Sequence, residues 1–224
     1  LKQWGNGLGN RSTVTENSDV TSFQSPELAS TEQWIAGVDE VGRGALFGPV
    51  VASAVILPGS ALEELRAMGL KESKQLSSKR REEFSRHLQT VALDAKIGYA
   101  SVREIDRVNI FHASLLAMRR AVLKLDPQPD LCLVDGKFLI PDLPIPQKAL
   151  VGGDRASLVI AAASIVAKVW RDRLIIRLAN KYPRYDLAAN KGYGTERHRL
   201  ALQQYGASSQ HRLSFKPCQM VESP

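Results

Sequence analysis

Ile35-Ala36-Gly37-Val38-Asp39-Glu40-Val41-Gly42-Arg43-Gly44 is the stretch from which the fold of this chain is read. Its apolar residues, including the β-branched Ile35, Val38 and Val41, predict a buried strand. Successive residues on a strand face opposite ways, so Asp39 and Glu40 cannot share one core. Two uncompensated carboxylates are costly to bury in such a segment. A divalent cation offsets that cost, because hard cations prefer carboxylate oxygen. The competing reading is a strand end whose carboxylates are simply solvated. Gly42-Arg43-Gly44 suits a backbone that closely approaches a partner, with a cation beside it.

Gly42, Gly44 and Gly48 loosely resemble a phosphate-binding glycine loop. Such a loop opens a helix. Residues 49–58 instead read as a second strand, and the spacing is wrong for GxGxxG, so a dinucleotide site is excluded.

Working outward, the 224 residues suffice for one large domain or two small ones, and the 44% hydrophobic content supplies a sizeable core. Cys132 lies in an apolar run and reads as core. With Cys218 it forms neither a metal pattern nor a disulfide framework, which points to a reducing compartment. No run of about 18 apolar residues is present, so no membrane span is expected. The N-terminus lacks the apolar core of a signal peptide. A cytoplasmic protein is the expectation. The net charge of +7 favours a polyanionic partner. Between positions 168 and 216 eleven Lys or Arg face three acids, so nucleic acid competes with a merely solvated basic face.

Residues 1–31 are polar and read as a disordered arm. Residues 61–68 predict one or two helical turns, and 71–76 a polar loop. Ser77 or Ser78 caps a helix to about 90, with Glu82 or Glu83 supporting its start. A third strand follows at 96–102. Ile105, Val108, Phe111, Leu115, Met118, Val122 and Leu125 recur at helical spacing and predict one long helix over 103–125. Asp126-Pro127-Gln128-Pro129 stops it. A fourth strand at 131–134 ends in Asp135-Gly136, and 141–146 is a proline-rich loop. A fifth strand at 148–151 ends in Gly152-Gly153-Asp154. One or two packed helices cover 157–179, 190–195 is a loop, and Thr195 caps a short helix over 196–205. The order predicts a mixed α/β sheet covered on both faces.

Sites in open α/β sheets gather at the carboxyl ends of strands. If strands one, four and five are parallel neighbours, Asp39, Asp135 and Asp154 come together, and Glu40 joins from the edge. Taken singly, Asp135 and Asp154 read as turn residues. Four carboxylates with no Cys or His ligand pattern favour magnesium or manganese over zinc. His87, His112, His198 and His211 need no catalytic role. His112 falls in the long helix and is expected to be partly buried, while the others sit among polar neighbours.

The ordered motifs G-V-D-E-V-G-R-G at 37–44, S-K-Q-L at 73–76, V-D-G at 134–136 and G-D at 153–154 lead the list of matches. They are followed by A-A-A-S-I-V-A-K-V at 161–169, R-D at 171–172, K-G-Y-G-T at 191–195 and H-R-x-S-F at 211–215. Together they resemble the type II ribonucleases H, the ribonuclease HII family, from Trp34 to Pro217.

The resemblance implies an RNase H-like fold: a five-stranded mixed sheet flanked by helices, with a helical C-terminal part. The catalytic domain would span 32–217, between the arm and a tail at 218–224. The implied activity is endonucleolytic cleavage of the RNA strand in RNA–DNA hybrids, and at a single ribonucleotide in duplex DNA, leaving a 3′-hydroxyl and a 5′-phosphate. The matching metal and catalytic positions are Asp39, Glu40, Asp135 and Asp154. Substrate-reading positions fall on Gly42, Arg43, Gly44 and Tyr193, and Ser73, Lys74, Ser164 and Lys168 resemble positions near the phosphate backbone. A monomer without membrane attachment is expected. Glu72 stands where the family usually has Asp, and Gly152 where Lys is common, which removes one cation near the site. The competing readings are another nuclease or strand-transfer enzyme of the same fold, and a non-catalytic hybrid-binding module.

Overall fold

The computed structural model describes residues 33–70 and 76–219. The N-terminal arm, the loop positions Glu72, Ser73 and Lys74, and the last five residues lie outside them. The elements run β1 (Ile35–Val41), β2 (Val50–Ile56), α1 (Gly59–Ala67), α2 (Ser78–Val91), β3 (Asp94–Ala100), α3 (Val102–Val122), β4 (Leu131–Asp135) and β5 (Gln147–Leu150). They continue with α4 (Gly153–Ala156), α5 (Leu158–Ala179), a 3-10 turn (Pro183–Tyr185), α6 (Leu187–Asn190), α7 (Glu196–Tyr205) and α8 (Lys216–Gln219).

The strands form one sheet in the order β3-β2-β1-β4-β5. β1, β2 and β3 are antiparallel neighbours. β4 pairs parallel to β1, and β5 parallel to β4. The carboxyl ends of β1, β4 and β5 therefore share one edge, the condition on which a gathering of the strand-end acids depends. Register places Val38 opposite Val134, so the next residues, Asp39 and Asp135, lie side by side.

Both faces of the sheet are covered, which is why every residue of β2 is buried. On one face Ala36 and Val38 pack with Ile105, Met118 and Val122 of α3. On the other, Ile35 and Leu133 pack with Phe84 of α2 and with Val159, Ile160 and Ala163 of α5. Gly37 faces α5 so closely that a Cβ would collide with the Val159 carbonyl. That contact sets α5 directly against β1, with Ser164 further along the helix. Cys132 lies in the first core, and burial pushes its thiol up to about 12.

Two expectations about helices are corrected. α3 is not one continuous helix, because Asn109 interrupts it with φ 64 and ψ 168. Its side chain accepts the N–H groups of Phe111 and His112 at 2.9 and 3.2 Å, capping a new start. The apolar stripe crosses the break undisturbed, so periodicity alone could not reveal it. The helix also begins earlier than expected, because Ser101 and Glu104 form a capping box. By contrast, residues 157–179 form a single helix, capped by Ser157. No helix among the described residues is long and apolar enough to cross a membrane.

Candidate active site

A cleft of about 330 Å³ opens at the shared strand edge, lined by Asp39, Glu40, Asp135, Ser164, Lys168 and Arg81 among others. Alternation along β1 sends Asp39 toward α5, where the Ser164 hydroxyl donates to its carboxylate. Asp39 also accepts the N–H of Glu40 at 2.7 Å. Burial, and then the charges of Glu40 and Asp135, hold the Asp39 carboxyl well above the usual carboxylate range. Glu40 takes the other face and pairs with Arg43 at 3.2 Å. Its carboxyl is raised chiefly by burial and further by Asp135, against the pull of Arg43. Asp135 accepts the N–H of Gly153 at 2.7 Å, which ties the end of β4 to the start of α4.

Three of the four expected carboxylates thus share one cleft. Asp154 is adjacent to Gly153 but is buried within α4, off the cleft wall. Among the described residues, no group of three or more His, Cys, Asp or Glu side chains stands in a ready-made metal-holding arrangement. Gly152, the departure noted above, is the left-handed residue preceding α4.

Lys168 pairs with Asp172 at 2.7 Å and lies 5.8 Å from the centre of the Tyr193 ring. The Arg171 guanidinium lies 5.5 Å from the same ring. Tyr193 is joined to the Gly42–Gly48 segment through a bridge to Ala45, and Gly192 accepts the N–H of Leu46 at 2.8 Å. Arg43 and Gly44 are exposed on that segment, but Gly42 is buried. At Gly42, φ is 90° and the Arg171 side chain occupies the space a Cβ would need. Its glycine is demanded by packing, whereas a Cβ on Gly44 would meet open space.

Several residues here escape sequence reasoning. Arg171 is buried and donates to the carbonyls of Pro49, Phe47 and Lys191 at 3.1, 3.0 and 2.9 Å. Arg212 is likewise buried and donates to those of Gly48 and Arg43 at 3.0 and 2.9 Å. Burial, and then Arg171, push the Arg212 guanidinium down to about 9. Arg81 reaches the acid cleft from α2, bonded to the Leu76 carbonyl and the Ser78 hydroxyl. The histidine expectation is reversed: His112 is exposed, and His198 and His211 are buried. Partners this distant in sequence leave no local pattern. The H-R-x-S-F match at 211–215 was the one available signal for His211 and Arg212.

The family model for Ribonuclease HII matches residues 36–218. Ribonuclease HII of Trichodesmium erythraeum is 64% identical over 184 residues, 82% of this chain and 87% of that one. The Trichormus variabilis protein of the same name is 58% identical over 196 residues, 88% of this chain and 87% of that one. The crystal structure of ribonuclease H2 from Pyrococcus horikoshii OT3 superposes with a TM-score of 0.74 at 27% identity, covering 83% of this chain and 95% of that one. A mixed five-stranded sheet with acids at its parallel strand ends, matched over nearly the whole described chain, places the protein: it belongs to the ribonuclease HII family and is an endonuclease of the ribonuclease H class.

Proposed function

We propose that this chain cuts the RNA strand of RNA–DNA hybrids, including a lone ribonucleotide in duplex DNA, and leaves a 3′-hydroxyl and a 5′-phosphate. The observation that carries this reading is the cluster of Asp39, Glu40 and Asp135 in one cleft, with two of the three carboxyls raised by burial and mutual repulsion. The donor set is all oxygen, which fits magnesium or manganese and not zinc. Asp39, Glu40 and Asp135 would hold the ion; Asp154, buried in α4 off the cleft wall, is the fourth carboxylate that the family resemblance assigns to it. A divalent cation, when bound there, activates water and neutralises the charge that builds on the leaving oxygen.

The remaining roles belong to the chain itself. Ser164 orients the Asp39 carboxylate. Lys168 offers a cation to a backbone phosphate, a role shared with Ser73 and Lys74, which lie outside the described residues. Arg43 lies beside a neighbouring phosphate. The exposed backbone of Gly44 approaches the 2′-hydroxyl, the group that distinguishes RNA from DNA at one nucleotide. Tyr193 packs its ring against the sugar of the following deoxynucleotide. The protein works as a monomer.

The test is incubation with magnesium or manganese and a duplex containing one ribonucleotide, followed by mapping of the ends. A metal-dependent nick at the ribonucleotide with the stated ends is expected. Joined products, or binding without cleavage, would overturn the reading.

A further inference from the structure

Asp106 lies in the first part of α3, between the Ser101–Glu104 capping box and the break at Asn109. Its neighbour Ile105 is fully buried in the core that also holds Val38 of β1. The Asp106 carboxylate reaches residues 107 and 108 positions further along the chain. It accepts the N–H of Leu213 at 3.1 Å, the N–H of Ser214 at 2.9 Å and the hydroxyl of Ser214 at 2.6 Å. Leu213 and Ser214 are themselves exposed, so this carboxylate, and not burial of their side chains, pins them to α3.

The stretch so pinned backs the loop that follows β1. Gly48 donates its N–H to the Gln210 carbonyl at 2.8 Å, and Arg212 donates its N–H to the Leu46 carbonyl at 2.9 Å. The Arg212 guanidinium adds its bonds to the carbonyls of Gly48 and Arg43. Burial, and then Arg171, work against the Arg212 charge, whereas Tyr193 and then Asp106 work for it. Residues 43–48 and 210–214 are therefore knitted together. β1 carries Asp39 and Glu40 into this loop, and α3 packs on β1. Asp106 closes the circuit from β1 through the loop and Arg212 back to α3. Arg171 holds the loop from α5, on the opposite face of the sheet. Arg43 and Gly44 are thus held relative to the acids from both faces.

We propose that Asp106 is a positioning residue for ribose recognition: through Arg212 it fixes where the Gly42–Gly44 backbone meets the 2′-hydroxyl. The inference rests on the reading of that loop as the part that meets the ribose. Bonds from N–H groups to a carboxylate are charge-assisted and make a firm tie. A misplacement of about 1 Å far from the chemistry can cost roughly a hundred-fold in rate. A lone ribonucleotide offers one 2′-hydroxyl in one register, whereas a continuous hybrid offers one at every step. A displaced loop therefore loses the lone ribonucleotide first.

The experiment measures single-turnover cleavage of both substrates by the full chain with magnesium, and takes the ratio of the two rates. Asp106→Ala is expected to lower the lone-ribonucleotide rate relative to the hybrid rate about ten-fold. Asp106→Asn keeps one acceptor oxygen and is expected to fall between it and wild type. Ser214→Ala leaves both N–H bonds in place and is expected to keep the wild-type ratio. So is Asp130→Ala, which removes a carboxylate that accepts the Trp34 N–H at 2.8 Å, at the other end of β1. Magnesium is expected to raise the thermal midpoint of Asp106→Ala as much as that of wild type, because the acid cleft is untouched. A wild-type ratio in Asp106→Ala assigns Asp106 to stability alone and overturns the proposal, whether or not both rates fall. If that variant does not fold, a wild-type ratio in Asp106→Asn overturns it. An equal fall in Ser214→Ala or Asp130→Ala, or a lost magnesium shift in Asp106→Ala, overturns it as well. Wild type that cuts neither substrate defeats the functional reading itself, a result distinct from all of these.

Discussion

His198 and His211 meet Nε2 to Nε2 at 3.1 Å, both closed off from solvent. Their neighbours fix the protons. The backbone N–H of Ser208 donates to His211 Nδ1 at 2.9 Å, so His211 carries its proton on Nε2 and donates it to His198. His198 then carries its own proton on Nδ1 and donates to the Tyr193 carbonyl at 2.9 Å. A chain of neutral imidazoles therefore ends on the loop that presents Tyr193.

Acid should loosen this region. Burial, and then His198, push His211 down to about 3, and burial lowers His198 against the pull of the Tyr193 carbonyl and then of Asp186. An unfolded histidine titrates near 6.5. Below that pH and down to about 3, the unfolded chain binds protons that native His211 refuses, so stability falls as pH falls. The midpoint temperature of wild type should drop faster between about pH 6.5 and 4.5 than that of His211→Asn. Parallel curves would remove the pair from the acid response.

Asp39 has the opposite sign. Its raised carboxyl binds protons more readily folded than unfolded, so its contribution to stability is lost as pH rises through its folded pKa. Without metal at neutral pH, Asp39→Asn should therefore gain stability, by roughly 1–2 kcal/mol, while turnover is abolished. Magnesium or manganese should raise the midpoint of wild type but not of this variant. Thermal scans with and without metal check both.

Arg171 fills the space where a Cβ of Gly42 would lie. Arg171→Ala and Gly42→Ala should each cost about 3 kcal/mol in urea unfolding, because one removes buried bonds and the other forces a clash at positive φ. The double variant should fall well short of the sum. Full additivity would mean the two sites do not interact.

Tyr193→Ala should cut a lone ribonucleotide far more slowly, with a smaller loss on a continuous hybrid, and Tyr193→Phe should keep much of the activity. The ratio of the two cleavage rates is the measurement. If rate and ratio are unchanged in Tyr193→Ala, recognition passes to Gly42-Arg43-Gly44.

Lys168→Ala should flatten the log–log dependence of hybrid affinity on salt by about one unit and leave the cut position alone. Affinity titrations across a range of salt concentrations decide it. A slope equal to wild type would confine Lys168 to its ion pair with Asp172.

The acid edge was legible at Asp39 and Asp135, which close apolar strands, whereas Asp154, read as closing a fifth strand, lies in α4 beyond the end of β5. Parallel pairing of β1, β4 and β5 was a condition of that reading, which the register of the sheet meets. The break at Asn109 was hidden because side chains on both sides of it reach the same core. The burial of His198 and His211 was hidden because their immediate neighbours in sequence are polar. What encloses them includes Tyr185, whose ring centre lies 4.6 Å from that of His211. Arg171 and Arg212 read as surface cations, since the carbonyls they bind lie more than a hundred residues away except at Lys191.

The two buried arginines also change what the neighbouring loop shows to the outside. By drawing the carbonyls of Arg43, Phe47, Gly48 and Pro49 inward, they turn the negative ends of those peptide dipoles away from solvent. Small ions cannot crowd around a charge sealed beneath backbone, so the bonds between these guanidiniums and the loop carbonyls are weakened less by added salt than an ion pair at the rim, and the loop's shape should persist as salt rises.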